Sequence, residues 1–394
     1  MARNRKRQSR KSEHLRLATN AGDVLPSLSS LEHIPAYDQL RASLRQKEQY
    51  QEIVCALSHE GIPASELHLG CVVRLDRGYP AVVSDNGLCR AEFAARFTKG
   101  SSCDQLSTSI AIGDWVCARM TAGHAQAQIE ALVPRKNAIS RWRGGSRGQR
   151  QVLAANIDSV LIAQPLGARL FDFDRVMRSA VIARDCGASV AVVLTKADRV
   201  SEEAADQTLE RLKKILGMSI PFVVCSSGVA RSSNISRLMA SKEKSWASAL
   251  VPVGTVAIVL GQSGAGKSTL LNAFLGQNTL AVGAVRPSDD AGRHTTVSRR
   301  MVALPGAGII VDEPGLRSLP LVGHERGLAL VFPKIDEAAH GCRFRDCTHT
   351  SEPGCAVRAA LSRGEFSPES LEAYLRLASE MRLSASALDP DVTL

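Results

Sequence analysis

The chain has 394 residues, enough for two or three domains with a sizeable core, and 44% of them are hydrophobic but only 4% aromatic. That balance fits an α/β protein; no apolar stretch approaches the length of a bilayer span, and no hydrophobic signal core opens the sequence. A formal net charge of +10 points to a polyanionic partner, and ten scattered cysteines fit a reducing, cytoplasmic setting better than a disulfide scaffold.

The excess charge is uneven. Between Met1 and Leu17, Arg3, Arg5, Lys6, Arg7, Arg10, Lys11 and Arg16 are opposed only by Glu13, a run expected to stay disordered until it meets a polyanion. A transit peptide is the rival reading. Residues 31–60 read as helical through Leu40, Leu44 and the Glu/Lys/Gln-rich stretch to Ala56. From Glu66 to about Pro134 come short β-like runs: Gly70–Leu75, Ala81–Ser84, Leu88–Phe93, Asp114–Met120 and Gln128–Leu132. Five such strands with Gly and Asp-Asn-Gly turns suit a small barrel such as an OB-fold. Arg135, Lys136, Arg141, Arg143, Arg147 and Arg150 follow with Trp142 and no acid. This run reads as a flexible linker, and RNA contact, with Arg on phosphates and Trp142 stacking, is preferred over simple solvation.

Next, the apolar run Val190–Leu194 ends in Thr195-Lys196-Ala197-Asp198. A carboxylate at Asp198 accepts both N–H donors of a guanine edge, whereas adenine leaves it unpaired at a cost. Asn usually opens such a turn; Thr195 is expected to weaken a secondary contact to the base or to the phosphate loop. A second strand, Pro221–Val224, leads to Cys225-Ser226-Ser227, where small residues let backbone groups approach the guanine O6.

Gly261-Gln262-Ser263-Gly264-Ala265-Gly266-Lys267-Ser268 matches G-x-x-x-x-G-K-[ST] at every fixed position. It sits between a β-branched run, Thr255–Leu260, and a helical stretch, Thr269–Leu275. Backbone N–H groups and the helix N-terminus there cradle phosphates; Lys267 reaches the β- and γ-phosphates and Ser268 ligates Mg²⁺. Arg293-His294-Thr295-Thr296 follows, then Asp312-Glu313-Pro314-Gly315. Thr295 or Thr296 is expected on Mg²⁺ and the γ-phosphate, with Thr296 taken as the magnesium ligand. Asp312 holds Mg²⁺ through water, and Gly315 offers its N–H to the γ-phosphate. Residue 316 is Leu rather than a water-orienting Gln, which leaves His294 as the candidate catalytic group beside Lys267. The order is base turn, phosphate loop, switch threonine, Asp-x-x-Gly. It is a circular permutation of the usual guanine-nucleotide order.

Near the C-terminus Cys342, Cys347, His349 and Cys355 form C-x₄-C-x-H-x₅-C. Three thiolates and an imidazole make a closed tetrahedral set suited to one structural zinc rather than a catalytic one. A reduced cysteine-rich loop is the alternative.

On Ala155-Asn156-Ile157-Asp158, Thr195–Asp198, Gly261–Thr269, Gly292–Thr296, Asp312–Gly315 and Cys342–Cys355, the chain resembles the circularly permuted ribosome-assembly GTPases called RsgA or YjeQ. The resemblance covers roughly residues 66–382. It implies a multidomain chain with an α/β core: an N-terminal OB-fold β-barrel, a circularly permuted P-loop GTPase domain and a C-terminal helical zinc-binding domain. The expected division is 1–65 basic tail and helical extension, 66–135 barrel, 136–320 GTPase with basic linker 136–150, and 321–394 zinc domain. It also implies a cytoplasmic monomer that binds GTP/GDP and the small (30S) ribosomal subunit through 16S-type rRNA, and assists late maturation. Because the chain after Gly315 heads toward the zinc region, γ-phosphate contact is expected to move that region against the barrel. Two other readings compete: an ATP-dependent small-molecule kinase, and a nucleotide-stabilised RNA-binding module with negligible turnover.

Overall fold

A computed structural model describes residues 32–76, 79–96, 110–124, 126–143, 149–167, 171–226, 229–233, 246–276, 299–312, 321 and 323–388; the side chains of 141–150, 229–233 and 384–388 lie outside it. The basic run at the amino terminus falls outside the described residues.

The five barrel strands foreseen from turn spacing are all present: β1 (Leu67–Asp76), β2 (Tyr79–Ser84), β3 (Gly87–Phe93), β4 (Trp115–Arg119) and β5 (Gln126–Leu132). They run β1-β2-β3-β5-β4, and β4 pairs back onto β1 to close the barrel. β3 and β5 are parallel while the other barrel pairings are antiparallel, giving an OB-like barrel. Val72, Val82, Val116 and Ile129 fill it, fully buried.

The nucleotide domain is built on β8 (Ser159–Pro165), β9 (Ser189–Thr195), β10 (Phe222–Ser226), β11 (Val229–Ser233), β12 (Val256–Leu260), β13 (Arg299–Ala303) and β14 (Ile309–Asp312). Their order is β11-β10-β9-β8-β12-β14-β13. The central strands β10, β9, β8, β12 and β14 are parallel, and each edge strand is antiparallel. Parallel strands are covered on both faces, so their sequences are apolar throughout. In β8, Val160 and Ile162 pack with Met177 and Leu212 of α2 (Phe173–Asp185) and α3 (Glu202–Leu216). Leu161 and Ala163 face the opposite layer, with Leu250 and Phe274 of α4 (Trp246–Leu250) and α5 (Lys267–Leu275).

The basic stretch after the barrel is not a free linker. Its backbone forms a hairpin, β6 (Ala138–Arg143) with β7 (Gln149–Ala155). Two of its six cations are engaged in ion pairs: Arg135 Nε lies 2.6 Å from the fully buried Asp114, and Lys136 Nζ 2.8 Å from Asp158. The buried Asp114 claims Arg135, so that cation is not the RNA-facing group expected from composition, whereas Lys136 pairs with the partly exposed Asp158 and stays half exposed itself.

The amino-terminal extension carries a shorter helix than its composition suggested, α1 (Leu44–His59), started by a capping box between Ser43 and Gln46. It straps the barrel to the nucleotide domain. Tyr50 donates to the Leu67 carbonyl at 2.7 Å, Gln46 Nε2 donates to Asn156 Oδ1 at 3.0 Å, and the His33 carbonyl accepts from Ala303 N at 2.7 Å.

At the other end lie α6 (Glu325–Val331), α7 (Pro333–Ala339), α8 (Ala356–Ser362) and α9 (Pro368–Leu388). Ser367 caps α9, accepting from Ser370 N at 3.0 Å. The helix runs for 21 residues to Leu388. These helices dock on α2 and α3. His324 Nδ1 lies 2.8 Å from Asp185, and Ser370 donates to the carbonyls of Lys214 and Ile215. At Gly327 a Cβ would stand 2.2 Å from the Val181 carbonyl, so only glycine permits this approach. Among the described residues no helix is long and apolar enough to cross a membrane.

Candidate functional site

β12 lies between β8 and β14, and its carboxyl end opens where successive connections depart to opposite sides of the sheet, the place where open α/β sheets bind ligands. The phosphate loop occupies that end. Ala265 N bonds the Gln262 carbonyl at 3.1 Å to form the turn, and Gly266 (φ +85°) starts α5 in a left-handed conformation. Lys267 folds back over its own loop, donating to the Gly261 and Gln262 carbonyls at 2.6 and 2.9 Å. Burial lowers its pKa and Asp312 opposes that shift. Gln262, Ser263, Gly264, Ser268 and Thr269 complete the loop and first turn, with Ser263, Gly264 and Ser268 exposed toward the opening.

Asp312 ends β14 beside this loop. Burial holds its carboxyl above the usual range against the pull of Arg300 and Lys267. A part-buried carboxylate at the end of β14 and the exposed hydroxyl of Ser268 are hard oxygen donors of the kind that fits Mg²⁺.

The base turn enters from β9. Lys196 takes a left-handed conformation (φ 58°), which swings the chain so that Ala197 is buried and Asp198 faces Ser226. Ser226 Oγ donates to Asp198 Oδ1 at 2.8 Å, holding the carboxylate expected to read guanine. Thr195 was expected to weaken a contact with the phosphate loop. Instead its buried hydroxyl donates to the Ala265 carbonyl at 2.6 Å, because the left-handed Gly266 leaves room for the threonine side chain. The threonine therefore makes a direct tie between base turn and phosphate loop. Ser227, His294, Thr295, Thr296 and Gly315 lie outside the described residues.

The segment Ala155–Asp158 has a structural part. Asn156 (φ 58°) accepts from Lys136 N and donates to the Gly113 carbonyl, both at 2.8 Å, and Asp158 Oδ2 accepts from Val256 N at 2.9 Å. Sequence reasoning passed over Arg300, which stands across from Asp312 in the sheet register. Its signal was one basic residue in a short strand, indistinguishable from surface charge.

Between α7 and α8 the donor atoms of Cys342, Cys347, His349 and Cys355 all lie within 4.8 Å of one another. Cys342 Sγ is 3.9 Å from Cys355 Sγ and 3.5 Å from His349 Nδ1, and Cys355 Sγ is 3.6 Å from that nitrogen. A tetrahedron with metal–sulfur bonds of about 2.3 Å has edges of roughly 3.8 Å, so the four atoms already stand near ligand spacing. Burial opposes ionisation of Cys342, yet the N–H groups of Val357 and Ala356 bring its pKa below the ordinary thiol value. Burial and the neighbouring thiols push Cys347 up to about 11. Burial also lowers the pKa of His349, keeping its imidazole neutral. Cys342 is thus biased toward its thiolate, and Cys347 needs the charge of a cation to follow. The residues fit one metal ion.

A family profile described as RsgA GTPase matches residues 132–322. A relative from Streptomyces avermitilis, "Small ribosomal subunit biogenesis GTPase RsgA", is 38% identical over 311 residues, covering 79% of each chain. The chain belongs to the RsgA GTPase family. A relative of the same name from Opitutus terrae is 37% identical over 340 residues, covering 83% of this chain and 87% of its own length. YjeQ from Thermotoga maritima shares the fold at a TM-score of 0.57 and 21% identity, over 80% of this chain and 99% of that one. YloQ, titled a circularly permuted GTPase, does so at 0.56 and 18% identity, over 81% and 96%. Membership makes the chain a GTP hydrolase, and neither the kinase nor the non-catalytic reading is favoured.

Proposed function

We propose that this GTPase binds the small ribosomal subunit through rRNA, hydrolyses GTP to GDP and phosphate there, and assists late maturation of the subunit as a cytoplasmic monomer. The observation that carries the nucleotide chemistry is the Thr195–Ala265 hydrogen bond, which joins a base reader and a phosphate loop 70 residues apart into one pocket. The names of the relatives support the ribosomal destination.

In this reading Asp198 accepts the two guanine N–H donors while Ser226 fixes its orientation. Ala197, Lys196 and Ser227 line the base, and residues 261–269 wrap the phosphates. Lys267 exchanges its loop carbonyls for the β- and γ-phosphates. Ser268, Thr296 and Asp312 would hold Mg²⁺, which would supply positive charge against the charge developing on the phosphates. Thr295 and Gly315 contact the γ-phosphate. His294 orients the attacking water; its oxygen bonds to the γ-phosphorus as the bond from that phosphorus to the β–γ bridging oxygen breaks, GDP leaves with that electron pair, and the water's proton passes to the released phosphate or to solvent. Cys342, Cys347, His349 and Cys355 hold one structural zinc. The division into tail, barrel, GTPase and zinc regions at 65, 135 and 320 follows the same reading. Any movement of the zinc region on γ-phosphate binding has to disrupt the His324–Asp185 pair.

The test is turnover of the full chain with and without small ribosomal subunits. Stimulation by subunits and preference for GTP over ATP is the expected result. Equal turnover in both arms overturns the ribosomal assignment, and equal ATP binding overturns the base reader.

A further inference from the structure

Arg300 sits in a lateral row of residues that crosses from the nucleotide domain into the barrel. Asp312 of β14 is directly opposite Arg300 of β13, Arg300 is opposite Arg74 of β1, Arg74 is opposite Ala81 of β2, and Ala81 is opposite Arg90 of β3. Directly opposed residues project from one face of a sheet, so these side chains form a line. Arg74 Nε lies 2.9 and 2.8 Å from the two carboxylate oxygens of Asp76, and Arg90 Nη1 lies 2.8 Å from the same carboxylate. Arg300 Nε is 3.9 Å from Asp312 Oδ2. Two arginines are therefore directly opposed across the domain boundary, Arg74 paired with Asp76 of its own strand and Arg300 facing Asp312 of the next strand.

The boundary itself is short. β1 and β13 are paired only at Arg74–Arg300 and Leu75–Arg299, whereas β1 and β2 pair at five positions. Like charges directly opposed in a sheet are destabilising, and such a short ladder has little to offset them. The counter-ions Asp76 and Asp312 make the pairing tolerable.

We propose that Arg300 couples Asp312 to the barrel: a divalent cation at Asp312 withdraws the counter-ion of Arg300, sets it against Arg74, and loosens the β1–β13 seam. The inference rests on the reading of Asp312 as the magnesium acid. Linkage makes it reciprocal, because an interaction that weakens the seam when metal binds must weaken metal binding while the seam is closed. Barrel position and metal occupancy then report on each other through one side chain.

The experiment keeps GDP bound to the full chain and compares magnesium-free buffer with added Mg²⁺ at the same zinc content and without chelator, so phosphate charge and the zinc region are constant. Hydrogen exchange is followed in segments 72–76 and 299–303. The expected result is exchange about fivefold faster with Mg²⁺, a difference that disappears in both Arg300→Met and Arg74→Met and survives in Arg300→Lys. Magnesium affinity of the GDP complex, read from release of fluorescent GDP, should tighten about fivefold in Arg300→Met. A merely structural arginine would loosen it. Identical seam exchange in the two wild-type arms, or a difference retained in both Met variants, overturns the coupling. Asp312→Asn separates the two claims. If it leaves magnesium affinity unchanged, the metal assignment fails; if it weakens affinity while Arg300→Met changes nothing, only the coupling fails.

Discussion

Thr195 donates its hydroxyl to the carbonyl of Ala265 at 2.6 Å, with the side chain buried against the left-handed Gly266. One hydrogen bond thus ties the turn that selects the base to the loop that holds the phosphates. Thr195→Val keeps the shape and removes the donor, leaving a buried carbonyl unpaired at a cost of about 1–3 kcal/mol. GDP affinity should fall, and urea unfolding should show the loss without nucleotide. Thr195→Ser restores both.

Base selectivity should reside in Asp198 and its holder. Asp198→Asn removes a carboxylate acceptor and is expected to reduce GTP affinity at least about a hundredfold while leaving the weak ATP affinity unchanged. Ser226→Ala removes only the orienting donor, and a loss of about threefold to tenfold is expected because this exposed bond is partly replaced by water. Competition binding with both nucleotides reads the two effects.

Arg135 is a structural cation rather than an RNA contact. Asp114 is fully buried, and burial raises its pKa although Arg135 and Ala111 N oppose the shift. Arg135→Met strands that acid, and a loss of about 3–5 kcal/mol in unfolding free energy is expected at neutral pH. The sign with pH follows from linkage. A carboxyl whose folded pKa lies above its unfolded value favours folding below the unfolded value, and that contribution is lost as pH rises through the folded pKa. The variant should therefore be less impaired near about pH 4 than near about pH 7.5.

The loop that carries His349 is gathered by Glu352, whose carboxylate accepts from the hydroxyl and N–H of Thr348 and from the N–H groups of Thr350 and Ser351. Those bonds, led by the Thr348 hydroxyl, hold its pKa down to about 2. This depressed value means the gathering is fully present above the ordinary carboxylate range and is lost as pH falls through that range toward about 2. Glu352→Gln should weaken zinc affinity about tenfold to a hundredfold, measured by competition with a chromophoric chelator. Cys355→Ser should reduce bound zinc below one ion per chain, measured by elemental analysis.

Local patterns made much of this molecule readable. The phosphate loop, the base turn and the cysteine–histidine spacing each act through neighbouring residues, where a few fixed intervals place backbone N–H groups or thiols around one centre. Five barrel strands followed from turn residues at regular spacing, with short β-like runs between them. The strand β13 was missed since Arg299-Arg300-Met301-Val302-Ala303 is short and half charged, and its identity as a strand comes from β1 and β14 on either side. Composition misassigned Arg135 because an ion pair depends on the acid opposite, and Asp114 lies about twenty residues away in sequence.

By itself the amino-acid sequence determined which chemistry the chain carries and that its nucleotide motifs are permuted, since both reside in short-range spacing. Only the tertiary structure decided that Thr195 reaches Ala265, that Arg300 stands between Asp312 and Arg74, and that one sheet runs unbroken from barrel to phosphate loop. Strand neighbours are chosen by burial of whole faces across the molecule, a condition that no single stretch of residues can express.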